Sequence, residues 1–140
     1  MFATEFEYTK ADSVSEAIQL LGSNEGAKIL AGGHSLLPMM KLRLARPPMV
    51  IDIGGIEEML GISMENGTLR IGALTTHAEI ADSHVVKDNA GILWEAAYGI
   101  GDPQVRNRGT IGGNIAHADP ASDLPTVLTV MDATFTIQGQ

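Results

Sequence analysis

Two short glycine-bearing segments hold most of the residues of this chain that can do chemistry: Ala31, Gly32, Gly33, His34 and Ser35, then Thr110, Ile111, Gly112, Gly113 and Asn114. Glycine reaches φ > 0 and lets backbone N–H groups come close to a ligand, so both segments read as tight turns that approach an anion. The first follows the apolar run Ala27 to Ala31 and precedes a helical pattern starting at Leu36, which puts Ser35 where a helix N-cap would stand. The second repeats the recipe between the polar residues Thr110 and Asn114. Two loops suit a pyrophosphate better than a single phosphate. Neither is a G-x-G-x-x-G fingerprint and neither runs on into a P-loop, so Rossmann and kinase-like readings fail. The plainer reading of either pair alone is a turn and nothing more.

The remaining reactive side chains are less ordered. The histidines at positions 34, 77, 84 and 117 contain no pair spaced as in H-E-x-x-H, and the chain has no cysteine, which argues against a metal site. His34 and His117 lie near the glycine turns, whereas His77 and His84 read as helix-surface residues. Asp119 and Asp123 are four apart, yet Asp123 reads equally as a helix N-cap. No G-x-S-x-G elbow supports Ser35 or Ser122 as a nucleophile. Arg106 and Arg108 flank the second turn and can neutralise a ligand, meet a partner carboxylate, or only face solvent. These residues describe binding rather than bond-making.

Composition narrows the class. The chain has 140 residues, 44% of them hydrophobic and 19% charged, which is ordinary for a folded soluble protein. Without cysteine it can supply no disulfide and no thiolate to an iron–sulfur cluster. A net charge of −8, from nine basic against seventeen acidic residues, argues against nucleic-acid binding. The acidic N-terminal residues Glu5 and Glu7 are unlike a signal peptide, and no apolar run approaches the roughly 20 residues that span a bilayer. The expectation is a soluble, cytoplasmic protein.

The elements that must position the two segments follow from periodicity. Tyr8 lies in a first strand. Ser13-Val14-Ser15-Glu16 reads as a capping box ahead of Val14, Ala17, Ile18 and Leu21, one apolar helical face. A strand over Lys28 to Ala31, a helix over Leu36 to Leu44 with Pro38 in its first turn, and a strand over Met49 to Ile53 complete a parallel βαβαβ unit, residues 1–54. Its first glycine turn then falls at a strand's carboxyl end, where open α/β sheets place their ligands. A second subdomain, residues 55–140, opens with a hairpin, Ile62–Glu65 and Thr68–Ala73, around Asn66-Gly67, a type I′ signal. Thr76-His77-Ala78-Glu79 is a second capping box, and Gly91 to Tyr98 reads as a buried helical face in which Trp94 is core rather than a flavin stacker. Gly99 to Pro120 is turn-rich with little periodicity. A helix from Asp123 to Met131 leads to Thr134–Ile137, which alternates like a strand, and a chain stopping there looks incomplete.

Three motifs in order, Ala31-Gly-Gly-His-Ser35, Gly101-Asp-Pro-Gln-Val-Arg106-Asn-Arg-Gly-Thr-Ile-Gly-Gly-Asn114 and Ala118-Asp-Pro-Ala-Ser-Asp123-Leu-Pro125, closely resemble the FAD-binding medium subunit of molybdenum hydroxylases of the carbon monoxide dehydrogenase and xanthine dehydrogenase type. The similarity runs from about Phe6 onward. It implies an α/β (α+β) chain with the two-subdomain FAD-binding fold of that flavoprotein type, its second subdomain incomplete. It also implies a flavoprotein oxidoreductase subunit that passes electrons to an external acceptor. Residues 31–35 would form one pyrophosphate loop and residues 110–114 the other, while Gly101 and Asp123 match further cofactor-contacting positions. The resemblance places the molybdopterin cofactor in a large partner subunit and the 2Fe–2S clusters in a small one, which fits a chain without cysteine. Family members continue well beyond position 140, so the chain reads as truncated. That leaves a second class open, a non-catalytic scaffold or interaction module that keeps the fold without FAD. A nucleotide-binding domain unrelated to flavins is disfavoured by the missing P-loop and Rossmann signals.

Overall fold

A computed structural model of the chain describes residues 2–139 and divides it into two compact units, one comprising the residues up to Glu58 together with residues 137–139 and the other Met59–Thr136. The first unit alternates strand and helix: β1 (Glu7–Lys10), α1 (Val14–Ser23), β2 (Lys28–Leu30), α2 (Leu36–Lys41) and β3 (Met49–Asp52). The sheet order is β1-β3-β2 and both pairings are parallel, with Tyr8 opposite Val50 and Ile29 opposite Ile51. The central strand is the most apolar, and Val50 and Ile51 are fully buried with Ala17 of α1 and Met40 of α2. At the head of α1, Ser13 Oγ accepts from the Glu16 N–H at 3.1 Å, and the Glu16 carboxylate accepts from the Asp12 N–H rather than from Ser13 itself.

Helix α2 stops at Lys41, three residues short of the expected Leu44. The Leu44 N–H donates to Met39 O and the Arg43 N–H to Met40 O, the pair of bonds that makes a Schellman end, with Arg43 left-handed at φ 59°. Glycine is the usual residue there; an arginine costs about 1 kcal/mol.

The second unit holds a hairpin, β4 (Ile62–Glu65) and β5 (Thr68–Ile71), followed by α3 (His77–Asp82), α4 (His84–Asn89), α5 (Gly91–Gly99), α6 (Pro103–Arg106), α7 (Ile111–His117) and α8 (Asp123–Val130). Asn66 and Gly67 both have positive φ, as a type I′ turn requires. Thr76 caps α3 through a full box: its Oγ1 accepts from the Glu79 N–H and its own N–H donates to the Glu79 carboxylate at 2.7 Å. The core is helical, with Ile80, Val86, Leu93, Ala97, Ile111, Leu124 and Leu128 buried together and Trp94 packed half-buried against them.

Several expectations need correction. The stretch from Gly99 to Pro120 is not a long turn region but contains α6 and α7. Regular strand β5 ends at Ile71, short of the expected Ala73, although the Gly72 and Leu74 N–H groups carry the same antiparallel register on to Gly61 O and Met59 O. Asp123 is the first residue of α8, and the N-cap position belongs to Ser122. His77 is 3% exposed rather than on a helix surface. Thr134–Ile137 is not a strand, since no strand among the described residues pairs with it.

Candidate functional site

In the first unit, β2 ends at Leu30 and the chain turns through Ala31–Ser35 before α2. Gly33 has φ 79°, and a Cβ there would fall 2.9 Å from Leu37 Cδ1 and 3.2 Å from Leu30 Cδ1. Conformation and space therefore both call for glycine. The Gly33 carbonyl accepts from the Leu37 N–H at 3.0 Å and the Ser35 carbonyl from the Met39 N–H at 3.2 Å, so the carbonyls face the helix. The N–H groups of Gly32, Gly33, His34 and Ser35 have no acceptor among the described residues. Ser35 holds the N-cap position but in αR geometry and with no side-chain cap bond, contrary to the expected cap. Its hydroxyl is left over as a further donor. His34 is exposed, its Nδ1 3.3 Å from Gly32 O. A run of unengaged N–H and O–H donors on a partly buried loop, with no carboxylate among them, suits a phosphate.

The second segment, in the other unit, is built differently. Thr110 is the N-cap of α7, and Ile111, Gly112, Gly113 and Asn114 form the first helical turn. Their N–H groups are all used inside the protein: Ile111 to Thr75 O, Gly112 to Ala73 O at 2.8 Å, Gly113 to Thr110 Oγ1 at 3.2 Å and Asn114 to Thr110 O. Gly112 is required by packing, since a Cβ would lie 2.6 Å from Ala73 Cβ and 2.7 Å from Ala73 O. Gly109 presses on the buried His77 ring in the same way and accepts its backbone N–H at 3.0 Å. The glycines thus weld α7 to the segment Ala73–His77 and leave side chains as the groups free to meet a ligand. The Asn114 Oδ1 accepts from the Ser122 hydroxyl at 2.8 Å, which leaves the Nδ2 amide as a donor with no acceptor among the described residues.

Asp123 is exposed at the start of α8, its carboxylate engaged by no described residue, and Gly101 is exposed where an added Cβ would meet nothing within 4 Å. Arg106 is committed locally: its guanidinium donates to Ile100 O at 2.6 Å and lies over the Tyr98 ring, while Arg108 faces solvent. Sequence reasoning did not find Ser122 as the partner of Asn114 or Ala73–Thr75 as the acceptors of the second turn. Ser122 stands inside the third motif, but nothing local announces a bond eight residues back. Among the described residues no group of three or more His, Asp or Glu side chains converges as a metal site would, and no helix is long and apolar enough to cross a membrane.

A parallel βαβαβ unit with a donor loop at a strand's carboxyl end has the form in which open α/β folds meet anionic ligands. Residues 4–140 match the FAD binding domain in molybdopterin dehydrogenase, and the chain belongs to that family. The carbon monoxide dehydrogenase medium chain of Hydrogenophaga pseudoflava is 50% identical over 99% of this chain and 49% of its own length. The 6-hydroxypseudooxynicotine dehydrogenase complex subunit alpha of Paenarthrobacter nicotinovorans is 47% identical over 96% of this chain and 46% of its own. A solved structure of the Hydrogenophaga pseudoflava carbon monoxide dehydrogenase superposes with a TM-score of 0.87 at 54% identity, over 89% of this chain and 44% of that one. The chain spans about half the length of the relatives it matches.

Proposed function

We propose that this chain is the FAD-binding portion of the medium subunit of a cytoplasmic molybdenum-containing hydroxylase or dehydrogenase, with a molybdopterin-binding large subunit and a 2Fe–2S small subunit as partners. The observation that carries this reading is the set of unengaged N–H donors at Gly32–Ser35, on a loop whose Gly33 can be no other residue without strain. Ala31–Ser35 would hold phosphate oxygens through backbone N–H groups and the Ser35 hydroxyl. Thr110–Asn114 would act through the Asn114 amide on a turn made rigid by its internal bonds, and Asp123 would accept from hydroxyl or N–H groups of the cofactor. Gly101 would let the cofactor approach the backbone. FAD held by these residues would supply the redox chemistry between the partner's clusters and an external acceptor. The protein's part is to bind and orient it and to keep the donors in place before it arrives.

The test is a titration of the purified chain with FAD, followed by flavin fluorescence, with circular dichroism confirming the fold. Saturable binding that falls at least about tenfold in Gly33→Val and Gly113→Val supports the reading. A folded chain that binds no FAD, yet assembles with partner subunits, supports the scaffold alternative.

A further inference from the structure

From Gly26 to Ile51 the chain has no Asp or Glu but carries Lys28, Lys41, Arg43 and Arg46, in a protein of net charge −8. Three of these cations lie in the six residues that end α2 and follow it. Lys41, Arg43 and Arg46 are exposed, and none has a carboxylate partner among the described residues. Two leucines alternate with them at high exposure, Leu42 at 57% and Leu44 at 74%. The Arg46 Nε–H donates to the Arg43 carbonyl, and the two Schellman bonds hold the intervening turn, so the group is an ordered surface. The third observation is conformational: Arg43 occupies the left-handed position where glycine costs least. The left-handed backbone at Arg43 is local strain of the kind that collects at functional surfaces, and it sits in the middle of the cationic stretch.

We infer that Lys41–Arg46 is a docking face for a protein partner whose surface offers an apolar pocket ringed by carboxylates. The leucines would fill the pocket and the cations pair with its rim, the usual division between an apolar centre and a charged edge. A free phosphate or the cofactor's pyrophosphate would use the cations but leave the leucines in water. This inference rests on the subunit role proposed above, because the partner is taken to be another subunit of that complex.

The experiment co-expresses the full chain with the partner subunits and compares it with Arg43→Gly and Leu44→Ser, reading subunit affinity, thermal midpoint and flavin content. Arg43→Gly should raise the midpoint by about 2–4 °C, since glycine relieves the left-handed residue, yet weaken association about tenfold and flatten its salt dependence. Leu44→Ser should leave the midpoint within about 2 °C and weaken association to a similar degree. Flavin content should not change in either. Association that survives both substitutions overturns this face while leaving the subunit role intact. A wild-type chain that never joins the partners overturns both. Dissociation of a homodimer by Leu44→Ser, or binding of the wild type to phosphatidylserine vesicles that Arg43→Gly abolishes, overturns it in favour of a second copy or a membrane.

Discussion

The Ser122 hydroxyl donates to Asn114 Oδ1 at 2.8 Å, tying the residue before α8 to the middle of α7. An amide whose oxygen is engaged has only its NH2 to offer, so Ser122 sets Asn114 as a donor. Ser122 makes no side-chain cap bond to α8, so its removal is read through Asn114. Ser122→Ala is expected to cost about 1 kcal/mol and to weaken FAD binding about fivefold. Fluorescence titration beside a thermal melt checks both, and unchanged affinity would detach Asn114 from the cofactor.

Gly112 and Gly101 should separate packing from ligand contact. A Cβ on Gly112 meets Ala73 backbone and side chain, so Gly112→Ala is expected to destabilise the chain by about 2–3 kcal/mol in urea unfolding. A Cβ on Gly101 meets nothing within 4 Å, so Gly101→Ala should move stability by less than about 0.5 kcal/mol. A fall in FAD affinity in Gly101→Ala is expected and would then report contact alone.

The Tyr8 hydroxyl donates to Asp52 Oδ2 at 2.5 Å, and this hydrogen bond first, with desolvation and the carboxylate's charge behind it, raises the phenol's pKa above its ordinary value. A group with a raised folded pKa stabilises below its unfolded pKa and loses that contribution as pH climbs through the folded one. Wild type should therefore lose stability relative to Tyr8→Phe as pH rises above about 10, the ordinary phenol value, and through the raised folded one. Urea midpoints at several pH values, with a phenolate absorbance titration in which Asp52→Asn shifts Tyr8 downward, check the sign.

Leu93 is 1% exposed in the helical core of the second unit, so Leu93→Ala is expected to cost about 2–4 kcal/mol. A loss below about 1 kcal/mol in thermal unfolding would place Leu93 outside the cooperative core.

Where a few neighbouring residues carry the whole physical instruction, the structure matches what the sequence implies. Ser13 and Thr76 cap helices, Asn66-Gly67 turns a hairpin with both residues at positive φ, and Val50 and Ile51 form the buried centre of a parallel sheet. The exceptions are places where local signals compete or vanish. Helix α7 opens on two glycines, poor helix formers, and persists because Thr75 and Ala73 accept its first N–H groups. Residues 134–137 alternate as a strand would, but no strand among the described residues pairs with them.

By itself the sequence determined the order of elements in the first unit, the loop at Gly33, the Asn66-Gly67 hairpin and the family, because each depends on short-range sterics or on an ordered set of motifs. Only the tertiary structure decided what the glycines do. Gly33 turns a loop whose N–H groups stay unengaged, whereas Gly112 lets α7 close against Ala73 and spends its N–H within the protein. The same dipeptide serves two ends because a backbone donor goes to whichever acceptor comes within about 3 Å, and distant segments of the chain set that distance.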